Sequence, residues 1–365
     1  MSNFLNPVST QTWTNGRHLV RCVKVIQETA DVRTFCFMAD QPMVFFFKPG
    51  QFVTLELTID GQPVMRSYTI SSSPSVPYSF SLTIKRVPGG KVSNWLHDNL
   101  KEGDQLPVHG PVGQFNAIDF PADKVLYLSG GVGITPVMSM ARWFFDTNGE
   151  VDMVFVHSAR TPKDIIYHRE LRHMASRIEN FKLHLICEKY EIGETWAGYR
   201  GYLSQKMLEL IAPDFMEREV FCCGPTPYMS AVRRLLEANG FDMQRYHEEA
   251  FGPTPAEVRE EAQEHAAEAA EAAAVPASEQ HRVEFSATGK SAHVNPGETV
   301  YAAAAKVGLY IPKACGMGIC GTCKVLKTSG EVSMEHNGGI TDEDVAEGYI
   351  LSCCSVPKGD VTIDF

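Results

Sequence analysis

The chain has 365 residues, a net charge of −11, 44% hydrophobic residues and 21% charged ones. That length supports two or three domains with cores of their own, and no run approaches the ~18 apolar residues of a membrane span. The negative balance argues against nucleic acid as a partner, because no basic face is available to displace counterions from phosphates.

The opening Met1-Ser-Asn-Phe-Leu5 lacks the basic start of a secretory signal, so the expected location is the cytoplasm, with no membrane partner. Residues 1–118 carry short alternating strand signals, such as Phe52–Ile59 and Tyr78–Lys85, broken by turns at Asp60-Gly61 and Pro88-Gly-Gly90. That pattern predicts an antiparallel barrel. Cys22, Cys36 and Cys187 lie in apolar, strand-like text and read as core residues. From 119 to 252 the rhythm becomes strand then helix. Val125–Leu128 precedes a helix over 136–147, and Val151–Val156, Lys182–Ile186 and Glu219–Cys222 continue the alternation. This predicts an α/β domain with a parallel sheet and crossover helices.

Residues 253–280 change character. They hold seven Glu against one Arg and contain no Gly, Phe, Tyr or Trp. With no apolar stripe to pack, the segment reads as a linker spanning on the order of 30 Å. Residues 281–365 form a small α+β module.

Chemistry concentrates in five places. Ser129-Gly-Gly-Val-Gly-Ile-Thr-Pro136 joins a strand to a helix, so its glycines free the backbone to approach a pyrophosphate at a helix N-terminus. Cys222-Cys-Gly-Pro225 brings a second glycine turn to the same carboxyl edge, where open parallel sheets bind ligands. In Arg66-Ser-Tyr-Thr69, Arg66 and Tyr68 share one strand face and Thr69 takes the other. The guanidinium suits a phosphate and the ring a flat heterocycle. Gly89-Gly-Lys-Val-Ser93 opens a helix expected over Asn94–Leu100, with Ser93 near the cap.

The fifth is Cys315, Cys320, Cys323 and Cys353, a C-x4-C-x2-C…C array with the spacing of plant-type [2Fe-2S] centres. Four thiolates also suit zinc, but Cys353 lacks the closely spaced partner of a zinc knuckle, and Cys354 is too near to supply it. Cys353 follows Gly348-Tyr-Ile-Leu-Ser352 on a run that reads as a strand. Asp342, Glu343, Asp344 and Glu347 leave two readings open, a docking face for a basic partner or a solvated acidic turn.

With Pro49-Gly-Gln-Phe52 added, these motifs resemble the ferredoxin-NADP reductase superfamily across nearly the whole chain, in the order flavin barrel, nicotinamide domain, β-grasp ferredoxin module. The resemblance implies FAD held by Arg66, Ser67, Tyr68, Thr69, Lys85, Gly90, Lys91, Val92 and Ser93. It implies a nicotinamide nucleotide at Gly131, Gly133, Thr135, Pro136, Ser158, Arg160, Cys223, Gly224 and Pro225. Thr69, Cys223, Glu249 and Phe251 are the implied catalytic positions, and Cys315, Cys320, Cys323 and Cys353 the ligands of a [2Fe-2S] cluster. The cofactor expected is NADH, with NADPH left open by Arg160 after the second sheet strand. Within the superfamily the chain is most similar to reductases serving a Rieske-type oxygenase, which implies such an oxygenase as partner. Similar module combinations serve hybrid-cluster proteins, steroid hydroxylases and diiron epoxidases. A self-contained oxidase would need a haem or oxygen-activating ligand set, and none is identifiable in the sequence.

Overall fold

The computed structural model describes residues 11–13, 15–147, 150–190, 195–251, 280–309, 311, 318, 321, 323–336 and 339–365. The expected linker 253–280, apart from Gln280, lies outside the described residues, as do Cys315 and Cys320. The chain divides into two compact units, Met1–Leu55, Tyr68–Pro111 and Phe115–Phe251 in one, Glu56–Ser67, Val112–Gln114 and Gly252–Phe365 in the other.

The first part of the chain supplies β1 (Gln11–Thr12), β2 (Gly16–Thr29), β3 (Val32–Ala39), β4 (Met43–Val44), β5 (Phe52–Ile59), β6 (Gln62–Thr69), β7 (Phe80–Lys85), α1 (Lys91–Asn99) and β8 (Gln105–Val112). Strand β2 pairs antiparallel with β3 and β8, and β3 pairs with β7, giving the barrel-like sheet that the alternation predicts. Alternation places Phe35 and Phe37 of β3 with Phe80 and Leu82 of β7 in the interior, all fully buried. At the β5–β6 turn Asp60 and Gly61 are both left-handed, with φ of 55° and 73°, which explains the Asp-Gly pair there.

The next stretch supplies β9 (Lys124–Gly130), α2 (Ile134–Thr147), β10 (Asp152–Ala159), α3 (His168–Arg177), β11 (Phe181–Cys187), β12 (Tyr199–Arg200), α4 (Gln205–Ile211), β13 (Glu219–Cys223), α5 (Thr226–Ala238) and β14 (Tyr246–Glu249). The sheet is wholly parallel in the order β12-β11-β10-β9-β13-β14. Central strand β9 is apolar from Val125 to Leu128 because helices cover both faces. Val125 and Tyr127 pack with Phe155, Phe221 and the apolar sides of α2 and α3. Leu126 and Leu128 pack with Val154, Val156, Leu208 of α4 and Val232 of α5. The strands run one to three residues beyond their expected ends, since parallel pairing continues into the polar residues that face the carboxyl edge.

The last module holds β15 (His281–Phe285), β16 (Lys290–Val294), α6 (Val300–Lys306), β17 (Lys324–Ser329), β18 (Val332–Met334), α7 (Asp342–Ala346), β19 (Tyr349–Leu351), β20 (Ser355–Pro357) and β21 (Val361–Asp364). Its mixed sheet runs β16-β15-β21-β17-β19, with β15 and β21 parallel. Thr299 caps α6 by accepting the Ala302 N–H at 3.2 Å, and Val300, Ala303 and Ala304 seat it on Phe285, Val294 and Ile363. The acidic turn is helix α7, whose Thr341–Asp344 capping box and 2.9 Å Lys324–Asp344 ion pair engage Asp344 structurally.

One charge is sealed inside the parallel sheet. Arg218 has a side chain 2% exposed and donates to Asp214 Oδ1 at 2.8 Å, Asp152 Oδ2 at 2.8 Å and the carbonyls of Val125 and Asp152. It ties together the amino ends of β9, β10 and β13. Arg218→Met should cost about 2–3 kcal/mol, less than a fully enclosed pair because both aspartates also reach lysines and solvent. A lower denaturant midpoint for the sheet checks this; an unchanged midpoint would contradict it.

Candidate active site

Both glycine turns converge at the carboxyl edge of the parallel sheet. After β9, Gly131 is left-handed at φ 53°, and Gly131–Gly133 form a 3-10 turn leading into α2, so the helix begins two residues earlier than expected. A Cβ on Gly133 would sit 2.4 Å from the Cys223 carbonyl oxygen and 2.5 Å from the Gly224 nitrogen. The two turns therefore touch backbone to backbone. Thr135 and Pro136 are buried in the first turn of α2, Thr135 Oγ1 donating to the Val132 carbonyl at 3.2 Å.

The edge also holds buried polar atoms: His157 Nε2, without a partner among the described residues, and Ser158 Oγ at the end of β10 beside Tyr228 OH at the start of α5. A buried polar atom without a partner marks a place that can take a polar ligand. Burial pushes His157 down to about 3, so the ring is neutral, its Nδ1 paired with Ser129 Oγ at 2.9 Å. The Tyr228 ring lies against both glycine turns, since a Cβ on Gly224 or Gly130 would meet it at 2.8 and 3.2 Å. Sequence reading missed Tyr228; its signal was an aromatic three residues after Pro225 at the opening of a helix. Arg160 is exposed just past β10, and Pro225 is exposed beside buried Gly224.

Cys223 ends β13 fully buried. Burial, with the Glu249 carboxyl nearby, pushes its thiol well above the usual range, which keeps the thiol protonated. Glu249, at the end of β14, faces Thr69 Oγ1 at 3.5 Å. The structure thus brings Thr69, Cys223 and Glu249 together from strands 180 positions apart. Enclosure pushes the Glu249 carboxyl up to about 8, the Thr69 hydroxyl drawing it slightly back. Phe251 packs on the cluster around Tyr127 and Phe221.

On β6, Arg66, Ser67 and Tyr68 are all half-buried and Thr69 is buried, so burial sets Thr69 apart without alternating at Ser67. Lys85 is engaged with Asp31 at 3.3 Å. The helix opening differs from expectation: α1 starts at Lys91, its cap is Gly90 and no side chain caps it. Ser93 lies in the first turn and accepts the Val87 N–H at 3.2 Å. The reason is steric, because a Cβ on Gly90 would meet Ser93 Oγ at 2.7 Å and Val87 at 3.1 Å. Lys91 is exposed and Val92 half-buried beside this uncapped end, which leaves N–H groups for an anion.

In the last module Cys323 is buried and Cys353 half-buried, and Cys353 sits in a 3-10 turn, Ser352–Cys354, after β19 has ended at Leu351. The strand stops early because the chain must turn to present the thiol. Gly318 and Gly321 are left-handed at φ 68° and 70°; a Cβ on them would meet Cys354 Sγ at 2.8 Å and the Gly339 carbonyl at 2.8 Å. Among the described residues no three His, Cys, Asp or Glu gather around a metal position, Cys315 and Cys320 lying outside them. The Cys323 and Cys353 thiols, with Gly318 and Gly321 at positions that admit no side chain, fit an iron–sulfur cluster. Cys22 and Cys187 are buried as expected, whereas Cys36 is half-buried and accepts from Ser81 Oγ at 3.3 Å.

A barrel-like antiparallel domain, a parallel sheet with paired glycine turns and a small cysteine-bearing module together define an NAD(P)H-dependent flavin and iron–sulfur oxidoreductase. The chain matches an oxidoreductase FAD-binding domain over residues 20–117, an oxidoreductase NAD-binding domain over 127–234 and a 2Fe-2S iron-sulfur cluster binding domain over 283–358. It is 83% identical over 364 residues, 100% of both chains, to the glycine betaine monooxygenase reductase subunit of Pseudomonas aeruginosa. To the protein of that name from Chromohalobacter salexigens it is 72% identical, over 100% of this chain and 99% of the other. The solved structure of phthalate dioxygenase reductase shares the fold at a TM-score of 0.57 and 21% identity, over 96% of this chain and 98% of that one. The chain belongs to the ferredoxin-NADP reductase superfamily, in the form that joins FAD-, NAD- and [2Fe-2S]-binding domains, as do these reductase subunits.

Two predictions follow the geometry. Gly133→Ala should force the two turns apart and weaken NADH binding by about tenfold, roughly 1.4 kcal/mol, in a titration; undiminished binding would show that the turns separate freely. Glu249 has its carboxyl raised above the unfolded value, so its contribution to stability is complete below about pH 4.5 and is lost as pH climbs through about 8. Glu249→Gln should therefore melt higher than the unsubstituted chain at pH 9 and equally at pH 4. A constant difference across that range would refute the assignment.

Proposed function

We propose that this chain is the cytoplasmic reductase component of a glycine betaine monooxygenase, taking electrons from NADH and passing them singly to a separate Rieske-type oxygenase that demethylates betaine to dimethylglycine. Identity of 83% across the full length carries this reading, because all three modules are matched at once. Bound FAD supplies the conversion between a hydride's paired electrons and single ones, and the [2Fe-2S] cluster carries one electron at a time.

The residues divide by task. Arg66, Ser67, Gly90, Lys91, Val92 and Ser93 hold the FAD diphosphate through charge and the uncapped N–H groups of α1, and Tyr68 offers its ring to the flavin. Lys85 supports that wall through Asp31. Gly131, Gly133, Gly224 and Pro225 admit the nucleotide backbone, while Ser158 and Arg160 meet its ribose end. Thr135, Pro136 and Cys223 pack the nicotinamide in a water-poor pocket. Thr69 orients the reacting face. Glu249 keeps a proton on its carboxyl below about pH 8, and Phe251 shields the pocket from solvent. Cys315, Cys320, Cys323 and Cys353 ligate the cluster. The domains divide at 1–118, 119–252 and 281–365, with 253–280 as tether.

Purified anaerobically, the protein should be coloured and hold about two irons per flavin. Mixing with NADH should bleach flavin and cluster, and adding a betaine oxygenase should yield dimethylglycine in step with NADH consumed. A colourless zinc protein would overturn the cofactor assignment. Equal turnover with a hybrid-cluster protein, and none with the oxygenase, would overturn the partner.

A further inference from the structure

Helix α2 begins at the nucleotide turn, and its second and third turns are fastened to the segment that follows Thr69. Ser139 Oγ, fully buried, donates to the Ser72 carbonyl at 2.7 Å. One turn on, Arg142 Nη1 donates to the Ser71 carbonyl. Between them, Met140 lies against Gly50, whose left-handed backbone at φ 109° leaves no room for a side chain there. Side chains one turn apart on one helix thus grip backbone atoms of the segment that follows β6, two and three residues beyond Thr69. Main-chain carbonyls do not swing on rotamers, so a bond to them fixes the backbone just past the strand end.

Arg142 is held rigidly for this task. Its side chain is 19% exposed and forks onto Glu170 of α3 at 2.7 and 2.6 Å, while its guanidinium lies 4.6 Å from the centre of the Tyr167 ring. Tyr167 is itself left-handed at φ 57°, uncommon for an aromatic residue, and its hydroxyl donates to Thr83 in the sheet. Thr83 in turn shares a 3.0 Å hydrogen bond with Ser71 Oγ. Both the carbonyl and the hydroxyl of Ser71 are therefore fastened to the parallel-sheet domain, one directly and one through Tyr167. Strained backbone kept at such a site is maintained by the contacts around it.

We propose that Arg142, assisted by Ser139, is a positioning residue for hydride transfer: it sets the spacing between the nicotinamide turn at the start of α2 and the flavin-facing end of β6. From Ile134 to Arg142 the helix advances about 12 Å, a rigid distance that a flexible loop would not maintain. The inference rests on the assignment of flavin to β6 and nicotinamide to the glycine turns.

The test is anaerobic single-turnover mixing of the holoprotein with NADH. Arg142→Met removes the fork and leaves Glu170, whose side chain is 42% exposed, free to hydrate. Its limiting rate of flavin bleaching should fall roughly ten- to a hundredfold, the cost of a misplacement on the order of 1 Å. The half-saturating NADH concentration should move less than about threefold, and FAD content per chain should hold, since the pocket walls are untouched. Arg142→Lys should recover only part of the rate, lacking the fork. Amide hydrogen exchange at 69–73 and 134–142 should quicken in Arg142→Met. Should that variant not fold, Ser139→Ala, which removes a single bond, should still lower the limiting rate a few-fold. A folded variant of either kind that bleaches at the original limiting rate, or that loses rate only through weaker NADH or FAD binding, overturns the proposal. An unsubstituted chain whose flavin NADH leaves unbleached would instead overturn the site assignment beneath it.

Discussion

Backbone rests on backbone where the turn after β9 meets the end of β13, and any side chain at Gly133 would enter the Cys223 carbonyl. The nucleotide edge depends on that contact. It lets α2 start flush with the sheet, aims the first-turn N–H groups outward, and leaves Cys223 packed against the place where two turns converge. A parallel sheet covered on both faces offers ligands only its carboxyl edge, so the geometry of those turns decides what can enter.

From that edge the same helix carries position into the neighbouring domain. Ser139 and Arg142 hold Ser72 and Ser71 by their carbonyls, and Thr69 lies just upstream, facing Glu249 from β14. The charges involved are handled differently according to enclosure. Arg142 keeps its charge because Glu170 and the Tyr167 ring satisfy it, whereas Glu249, enclosed beside the Thr69 hydroxyl and the Cys223 thiol, holds its proton up to about pH 8. Arg218, at the opposite end of the sheet, follows the first pattern with two aspartates.

Wherever chemistry rests on local spacing, the motifs were legible before folding. Glycines at 131 and 133, the Cys-Gly-Pro turn at 223–225, the alternation through Arg66–Thr69 and the C-x4-C-x2-C array each announce a backbone that must curl tightly around a ligand or present one face of a strand. The alternation of strands and helices through 119–252 likewise reads directly as a parallel sheet, because burial on both faces demands long apolar runs. Local reading failed at Ser93 and Cys353. There a one- to three-residue shift in where an element begins or ends depends on steric room at Gly90 and on the turn needed after Leu351.

Periodicity and spacings of a few residues set out the modules, their order and the cysteine array, whereas the residues expected at flavin and nucleotide were legible through the resemblance of their motifs to a known superfamily. Packing alone brings Thr69, Cys223 and Glu249 side by side and lets Arg142 reach Ser71. Thr69 and Glu249 are 180 positions apart and Arg142 and Ser71 are 71, and Arg142 sits on a helix face with nothing in its neighbours to mark it from a solvated arginine. Long-range pairing is set by how whole elements pack. That packing assigns a buried charge its partner and a carboxyl its protonation state.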